Sequence, residues 1–343
     1  MDIEATLQND RKLRCAVLDD YQNVATRFVD WRPISDRVEI RVFSVHFDDP
    51  DKLVTALADF DAVVLMRERT PLPRAVLTRL PRLKLIVTTG ARNAVVDMDA
   101  AAEAGITVCG TEGHFAPTVE HTWTLMLALA RNIVNENMNL RTGDGWQTTV
   151  IGADLWGQRL GILGLGKVGA KMTAIAHAFG MEVTAWSQNL TQELAAAAGA
   201  TLSPSLDALL EACDFVSIHL VLSERTRGLI GRDQLRRMKS SAFLINTSRA
   251  SIVDRDALLE ALREGWIAGA ALDVFDVEPL PKGDELRNVR NLLATPHLGH
   301  VTRGSYQAYY RDIIADFQAY LAGNPIRVLA APAVRAAVPV SGR

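Results

Sequence analysis

Two doubly wound parallel-sheet α/β domains are what this sequence predicts, and three observations predict them. Short runs rich in Val, Ile and Leu alternate with stretches of helical periodicity over nearly the whole chain, the pattern of parallel βαβ units. The 343 residues exceed what one core normally organises. Over residues 118–157 the alternation gives way to one long helix and a Gly-rich stretch, and then it starts again.

In the first third, strands are expected at residues 13–18, 38–43, 62–65, 83–87 and 107–109, with helices between them at 51–58 and 97–104. The segment TVEHTWTLMLALARNIVNENMNL, residues 118–140, carries apolar residues at helical spacing, so a single helix is expected to leave the first unit for the second. Gly143, Gly145, Gly152 and Gly157 then mark a loop. Further strands are expected at 159–163, 183–186, 215–219, 243–246, 269–272 and 291–294, separated by helices such as 167–179 and 254–264. A last helix covers 305–321, and the Ala, Pro and Val tail after Asn324 is weakly patterned, as a mobile terminus would be.

The charge balance narrows the function classes. Lys and Arg total 37 against 40 for Asp and Glu, a net charge of −3, which gives no electrostatic reason to expect nucleic acid or an anionic membrane as partner. Basic pairs such as Arg236 and Arg237 read as a solvated helix face. Cys15, Cys109 and Cys213 are too far apart for a metal-ligand or disulfide framework, so no metal is expected and buried free thiols in a reducing compartment are. The first twenty residues have no apolar h-region and no uncharged run is long enough to span a bilayer, so a cytoplasmic protein is expected.

The strand expected at 159–163 runs directly into Gly164-Leu165-Gly166-Lys167-Val168-Gly169 and a helix, the context in which GxGxxG binds a dinucleotide. The first glycine permits the turn, the second lets a pyrophosphate approach the backbone, and the third lets helix and strand pack closely. The ribose-reading position, about twenty residues on, falls on Ser187, Gln188 and Asn189, where no carboxylate stands to grip a 2′-hydroxyl or repel a 2′-phosphate. NADP or NAD is the expected cofactor. The missing carboxylate tilts the balance toward NADP, and the absence of an adjacent Arg or Lys limits that tilt.

Ligands of open α/β sheets bind outside the carboxyl ends of strands, and three ionisable types follow three successive strands here. Arg249 lies in Asn246-Thr247-Ser248-Arg249, Asp273 and Glu278 in Leu272-Asp273-Val274-Phe275-Asp276-Val277-Glu278, and His297 in Thr295-Pro296-His297. A guanidinium can hold a carboxylate and polarise a neighbouring carbonyl, an imidazole can pass one proton near neutral pH, and a carboxylate can orient that imidazole and favour its charged form.

With these residues in place, the sequence resembles the D-isomer-specific 2-hydroxyacid dehydrogenase family from about Leu13 to Leu321. The likeness is carried by GILGLGKVG at 161–169, HLVLSERTRGLI at 219–230, FLINTSRASIVDRDALLEAL at 243–262, GAALDVFDVEP at 269–279 and ATPHLGH at 294–300. The resemblance implies a Rossmann-type dinucleotide-binding domain, residues 116–297, inserted into a flavodoxin-like substrate domain, residues 1–115 plus 298–343. It also implies a catalytic cleft between the domains and a homodimer through the larger one. Carried over residue by residue, the catalytic groups are Arg249, Glu278 and His297. Cofactor contacts fall on residues 164–169 and 187–189, on His219, Leu220, Thr226, Asn246, Thr247, Ser248, Arg249 and Asp273, and on His297.

The implied reaction is hydride transfer between the nicotinamide and a small 2-oxo or 2-hydroxy acid, with His297 as acid/base and Arg249 on the carboxylate. The acid is also expected to meet Gly90, Ala91, Arg92 and Asn93, with Arg67, Glu68, Arg69 and Phe115 as further pocket-wall candidates. This loop departs from the family's GxGxDxxD, because Arg92 replaces a glycine and Ala94 an aspartate, which leaves the choice of acid open; glyoxylate and hydroxypyruvate are family-level guesses. Glu278 argues against formate oxidation, whose enzymes carry Gln there. Phosphoglycerate oxidation with a regulatory domain is disfavoured by the roughly twenty residues after the last helix. Two rivals remain, a dinucleotide-sensing corepressor-like binding protein and a phosphite-type dehydrogenase on the same triad. The chain shows no basic region or long polar tail to favour the first.

Overall fold

The computed structural model describes residues 11–143, 145–147 and 150–332. The chain divides into two units, the smaller made of the residues up to His114 with those from Thr302 onward, the larger of Phe115–Val301.

In the smaller unit, β1 (Leu13–Val17), β2 (Val38–Val42), β3 (Ala62–Leu65), β4 (Leu85–Thr88) and β5 (Thr107–Gly110) run parallel in the order 2-1-3-4-5, the flavodoxin-like winding. The central strands β3, β4 and β5 are buried along their whole length, as unbroken apolar runs require when helices cover both faces. Strand β2 lies at the edge, and its VEIRV leaves Glu39 and Arg41 exposed, which discourages pairing with another chain. Helices Pro50–Leu57 and Met98–Glu103 start on Asp49 and Asp97, whose carboxylates accept from the amides of Asp51 and Ala100. The C-terminal helix Arg303–Leu321 buries Tyr310, Ile313 and Phe317. Each such side chain contributes roughly 1.5–3 kcal/mol to holding that helix in the unit.

In the larger unit, β6 (Arg159–Leu163), β7 (Glu182–Trp186), β8 (Thr201–Leu202), β9 (Phe215–Ile218), β10 (Phe243–Asn246), β11 (Gly269–Leu272) and β12 (Leu292–Ala294) are all parallel in the order 8-7-6-9-10-11-12. This is the Rossmann order extended by one edge strand. Alternate residues feed two cores: Leu163, Val216 and Leu244 pack on one face, and Ile162, Phe215 and Ile245 on the other.

Two expectations are corrected. The helix expected at 118–140 is two helices, Ala116–Ala130 and Ile133–Thr142, because Asn132 adopts a left-handed conformation (φ +48°) and the Ala130 carbonyl accepts the Ala153 amide at 2.8 Å. The tail after Asn324 is not structureless: β13 (Val328–Ala330) pairs antiparallel with β5 and closes that sheet edge. Residues 333–343 of the tail lie outside the described residues. Among the described residues no helix is long and apolar enough to cross a membrane, and all three cysteines are buried and free.

Candidate active site

In the larger unit the loops that carry the glycine turn and Arg249, Glu278 and His297 leave the carboxyl ends of strands of one parallel sheet. At the end of β6, Gly164 has φ +98° and donates its amide to the Trp186 carbonyl at 2.9 Å; a Cβ there would lie 2.8 Å from the His219 backbone. A Cβ at Gly169 would overlap the Gly164 carbonyl oxygen, so helix Lys167–Ala178 closes on the turn only with glycine there. Gly166 differs: it caps that helix with no side-chain partner, and a Cβ on it would meet nothing within 4 Å. Two glycines are demanded by packing and the middle one lies open over a helix N-terminus, a cradle that suits the pyrophosphate of a dinucleotide.

Around this turn, Leu165 and Val168 are half-buried and Lys167 is exposed. Ser187, Gln188 and Asn189 follow β7. After β9, His219 meets the Ser217 hydroxyl at 2.9 Å, and burial pushes its imidazole down to about 4, so it is neutral at neutral pH. The Leu220 carbonyl accepts the Ser248 hydroxyl at 2.5 Å, which ties the loop after β9 to the one after β10. Thr226 donates its hydroxyl to the Val221 carbonyl and accepts the Ser223 amide, both at 2.8 Å, closing the intervening turn.

At the end of β10, the fully buried Asn246 shapes the loop that carries Arg249. Its Nδ2 donates to the Arg249 carbonyl and its Oδ1 accepts the Ser248 amide, both at 3.0 Å. Thr247 shares a 2.8 Å hydroxyl contact with Thr122, and Arg249 donates to the Ser248 carbonyl at 2.8 Å. At the end of β11, Glu278 accepts the Phe275 amide on Oε1 at 2.9 Å and faces His297 Nδ1 with Oε2 at 2.7 Å. The His297 and Glu278 side chains are 19% and 22% exposed, which keeps the pair accessible yet partly shielded from screening.

His297 follows β12 with φ +54°, uncommon for a side chain of this size. Asp273 holds that segment in place. Its Oδ1 accepts from Thr295 Oγ1 at 2.6 Å, the Leu298 amide at 2.7 Å and His121 Nε2 at 3.1 Å, while Oδ2 accepts the Gly299 amide at 2.8 Å. Burial works to raise the Asp273 carboxyl, but the bonds from His121 and Thr295 outweigh it and hold the group below the usual range. Sequence reasoning missed His121 and Thr295. A signal existed in the polar stripe Thr118, His121 and Thr122, spaced i, i+3, i+4 on one face of helix Ala116–Ala130.

In the smaller unit, Gly90 follows β4 with φ +99°, and the Arg67 guanidinium occupies the space a Cβ would need there. Asn93 is buried, its amide nitrogen donating to the Arg67 carbonyl and Thr88 Oγ1 at 2.8 Å and its oxygen accepting the Val95 amide. It therefore fixes the loop, on which Ala91 and Arg92 are exposed. Arg69 donates to the Asp19 carbonyl and Glu68 accepts the Ala94 amide. Phe115, 42% exposed, opens the larger unit.

The NAD binding domain of the D-isomer specific 2-hydroxyacid dehydrogenases matches residues 123–299, just over half of the 343. The chain belongs to that family. Among the D-2-hydroxyacid dehydrogenases it is similar to a glyoxylate reductase of Aeropyrum pernix, 40% identical over 235 residues that cover 66% of this chain and 70% of that one. A D-3-phosphoglycerate dehydrogenase of Methanocaldococcus jannaschii is 36% identical over 75% of this chain, which spans about half (49%) of its length. Among solved structures, a phosphoglycerate oxidoreductase of Vibrio cholerae matches with a TM-score of 0.86 at 32% identity, covering 91% of this chain and 99% of that chain. Membership makes the larger unit the family's NAD-binding domain and the chain an oxidoreductase that uses a nicotinamide dinucleotide.

Proposed function

We propose that this chain interconverts a small 2-oxo acid and the D-isomer of its 2-hydroxy acid. The observation that carries the reading is the 2.7 Å contact between His297 Nδ1 and Glu278 Oε2, past the carboxyl ends of strands in the same parallel sheet that carries the glycine turn. With Nδ1 held by the carboxylate, Nε2 is the nitrogen left to exchange a proton with the substrate oxygen. When bound, the nicotinamide supplies or takes up the hydride at carbon 2. In the reductive direction His297 gives its proton to the oxygen as the carbonyl becomes an alkoxide, and Glu278 balances the imidazolium before that moment. Arg249 holds the acid's carboxylate and polarises the adjacent carbonyl. Residues 164–169 and 187–189, His219, Leu220, Thr226, Asn246, Thr247, Ser248 and Asp273 are the cofactor candidates, and in the smaller unit Gly90, Ala91, Arg92 and Asn93 are the candidates for the acid.

The absence of a carboxylate at residues 187–189 supports NADP over NAD. A homodimer through the larger unit is supported by helix Ile133–Thr142, which buries none of its residues and exposes Ile133, Met138 and Leu140. A cytoplasmic setting is supported by three free, buried cysteines. The test is a panel of 2-oxo acids with NADPH and NADH, run on the wild type and on His297→Ala. The variant is expected to lose about 10²–10⁴-fold in kcat with dinucleotide affinity little changed. Near-normal turnover by the variant removes the mechanism, and no turnover of any acid by the wild type removes the function.

A further inference from the structure

The winding order of the smaller unit places its switch point between β1 and β3, where open α/β sheets take ligands. Three of its non-glycine residues with positive φ stand on the two loops that leave those strands: Asp19 (+55°), Asn23 (+53°) and Arg67 (+56°). Backbone held in this region persists only where its surroundings over-determine it, and Asp19 shows how. Its carboxylate is 1% exposed and accepts three hydrogen bonds, from His46 Nδ1 at 3.0 Å and Tyr21 Oη at 3.1 Å on Oδ1, and from Thr70 Oγ1 at 2.5 Å on Oδ2. Its carbonyl takes the Arg69 guanidinium at 3.0 Å, and that guanidinium lies over the Tyr21 ring at 4.7 Å. One buried carboxylate thus gathers the segments that follow β1, β2 and β3.

A buried carboxylate–imidazole pair is a costly way to hold loops that apolar side chains hold as well. What it does here is fix a charge. The loop at 67–70 is tied at one end by Asp19 through Thr70. At the other end the Arg67 amide donates to Thr89 Oγ1 at 2.8 Å and its carbonyl accepts Asn93 Nδ2 at 2.8 Å. Between these anchors the Arg67 guanidinium is laid over Gly90, the one residue type that leaves it room.

We propose that Asp19, gripped by His46 and Thr70, is the positioning residue that aims the Arg67 loop at the carboxylate of a small acid bound at this switch point. This rests on the proposed function for the identity of the acid, and the experiment separates the two. Facing His46 are the carboxylates of Asp19 and Asp48 and the cation Arg69; the Asp19 hydrogen bond leads in holding the imidazole above its ordinary value. The cationic form therefore persists past pH 6.5 and is lost as the pH rises through the raised value. Carboxylate affinity weakens over the same interval.

The probe is oxalate, which mimics a 2-oxo acid and is not reduced, titrated by calorimetry into the dinucleotide-loaded protein, with KM and kcat measured for an accepted acid. Asp19→Asn, His46→Gln and Thr70→Val are each expected to raise the oxalate Kd and the acid's KM about tenfold, the scale of a mis-aimed binding group, with kcat and dinucleotide Kd within about twofold. Thr70→Ser, which keeps the hydroxyl, restores wild-type values. His46→Gln also abolishes the alkaline weakening of oxalate. If Asp19→Asn unfolds, His46→Gln and the Thr70 pair still decide. Wild-type oxalate affinity with an unaltered pH limb in His46→Gln, or in Thr70→Val with only thermal stability lowered, overturns the inference. Oxalate effects as expected with no 2-oxo acid reduced by the wild type uphold it and remove the function instead.

Discussion

Replacing Asp273 by Asn keeps the shape of the side chain and removes its charge, so it isolates what that carboxylate does for the His297 segment. Oδ1 serves three donors and Oδ2 one, so the amide nitrogen does least harm in the Oδ2 position, facing the Gly299 N–H that it cannot accept. One charge-assisted bond is lost and three become neutral in a site 1% exposed. A hydrogen bond to a charged group is worth about 1.5–3 kcal/mol, and a donor left facing a donor in a buried site brings the expected destabilisation to about 3–5 kcal/mol. The pH dependence has a definite sign. Because the folded carboxyl lies below its ordinary value, its contribution is complete above the unfolded range near 3.9 and fades as pH falls through the lower folded value. The gap between wild type and variant is therefore widest at neutral pH and closes in acid. Urea unfolding followed by the fluorescence of Trp123, Trp186 and Trp266, all in the larger unit, measures it at pH 7 and in acid. With Gly299 released and the bond to the Leu298 amide weakened, the left-handed backbone of His297 loses part of its restraint, and kcat is expected to fall about tenfold or more. An Asp273→Asn protein that unfolds at the wild-type urea concentration at pH 7, or a gap that widens in acid, refutes this account.

Gly164→Ala forces a Cβ to 2.8 Å from the His219 backbone at φ +98°; it should weaken dinucleotide binding about tenfold and cost about 1–3 kcal/mol of stability, and tight binding in fluorescence titration would contradict the reading of the turn. Ser187→Asp restores a carboxylate at the ribose position and should move the ratio of kcat/KM values about tenfold or more toward NADH. An unchanged ratio means that residue 187 does not read the ribose. Burial pushes the Cys109 and Cys213 thiols up to about 12 and raises Cys15 as well; Ellman's reagent at pH 8 should therefore label no thiol in the folded protein and three in urea, whereas rapid labelling of the folded protein would show that one of them is exposed.

What the sequence made legible is local. A buried parallel strand announces itself as an unbroken apolar run, which is why 62–65, 159–163, 243–246 and 269–272 read directly as β3, β6, β10 and β11. Arg249, Glu278 and His297 stand out because polar residues just past such runs have few structural reasons to be there. Where the pattern is too short or mixed, it fails. The two residues of β8 carry no periodicity, and β13 forms on the free edge of β5 from a half-exposed tail. The break at Asn132 was written only in an Asn-rich composition that tolerates left-handed backbone.

The groups that hold these candidates in place are illegible for a different reason: they come from far away in the chain. His121 reaches Asp273 across 152 positions, and Asp273 reaches the Leu298 amide across 25. Nothing in the local sequence around His297 predicts its positive φ; the conformation is imposed by a carboxylate whose own ionised state is favoured by bonds from Thr295 and from a histidine on helix Ala116–Ala130. The smaller unit repeats the arrangement, with Asp19 receiving His46 and Thr70 across 27 and 51 positions to fix the loop of Arg67. In both units an ionisable residue just past a strand is held by a second, buried carboxylate that itself needs a donor from elsewhere in the fold. Candidate reactive groups are thus exposed to reading by composition and position, while the precision with which they are held depends on long-range pairing that exists only once the sheets have formed.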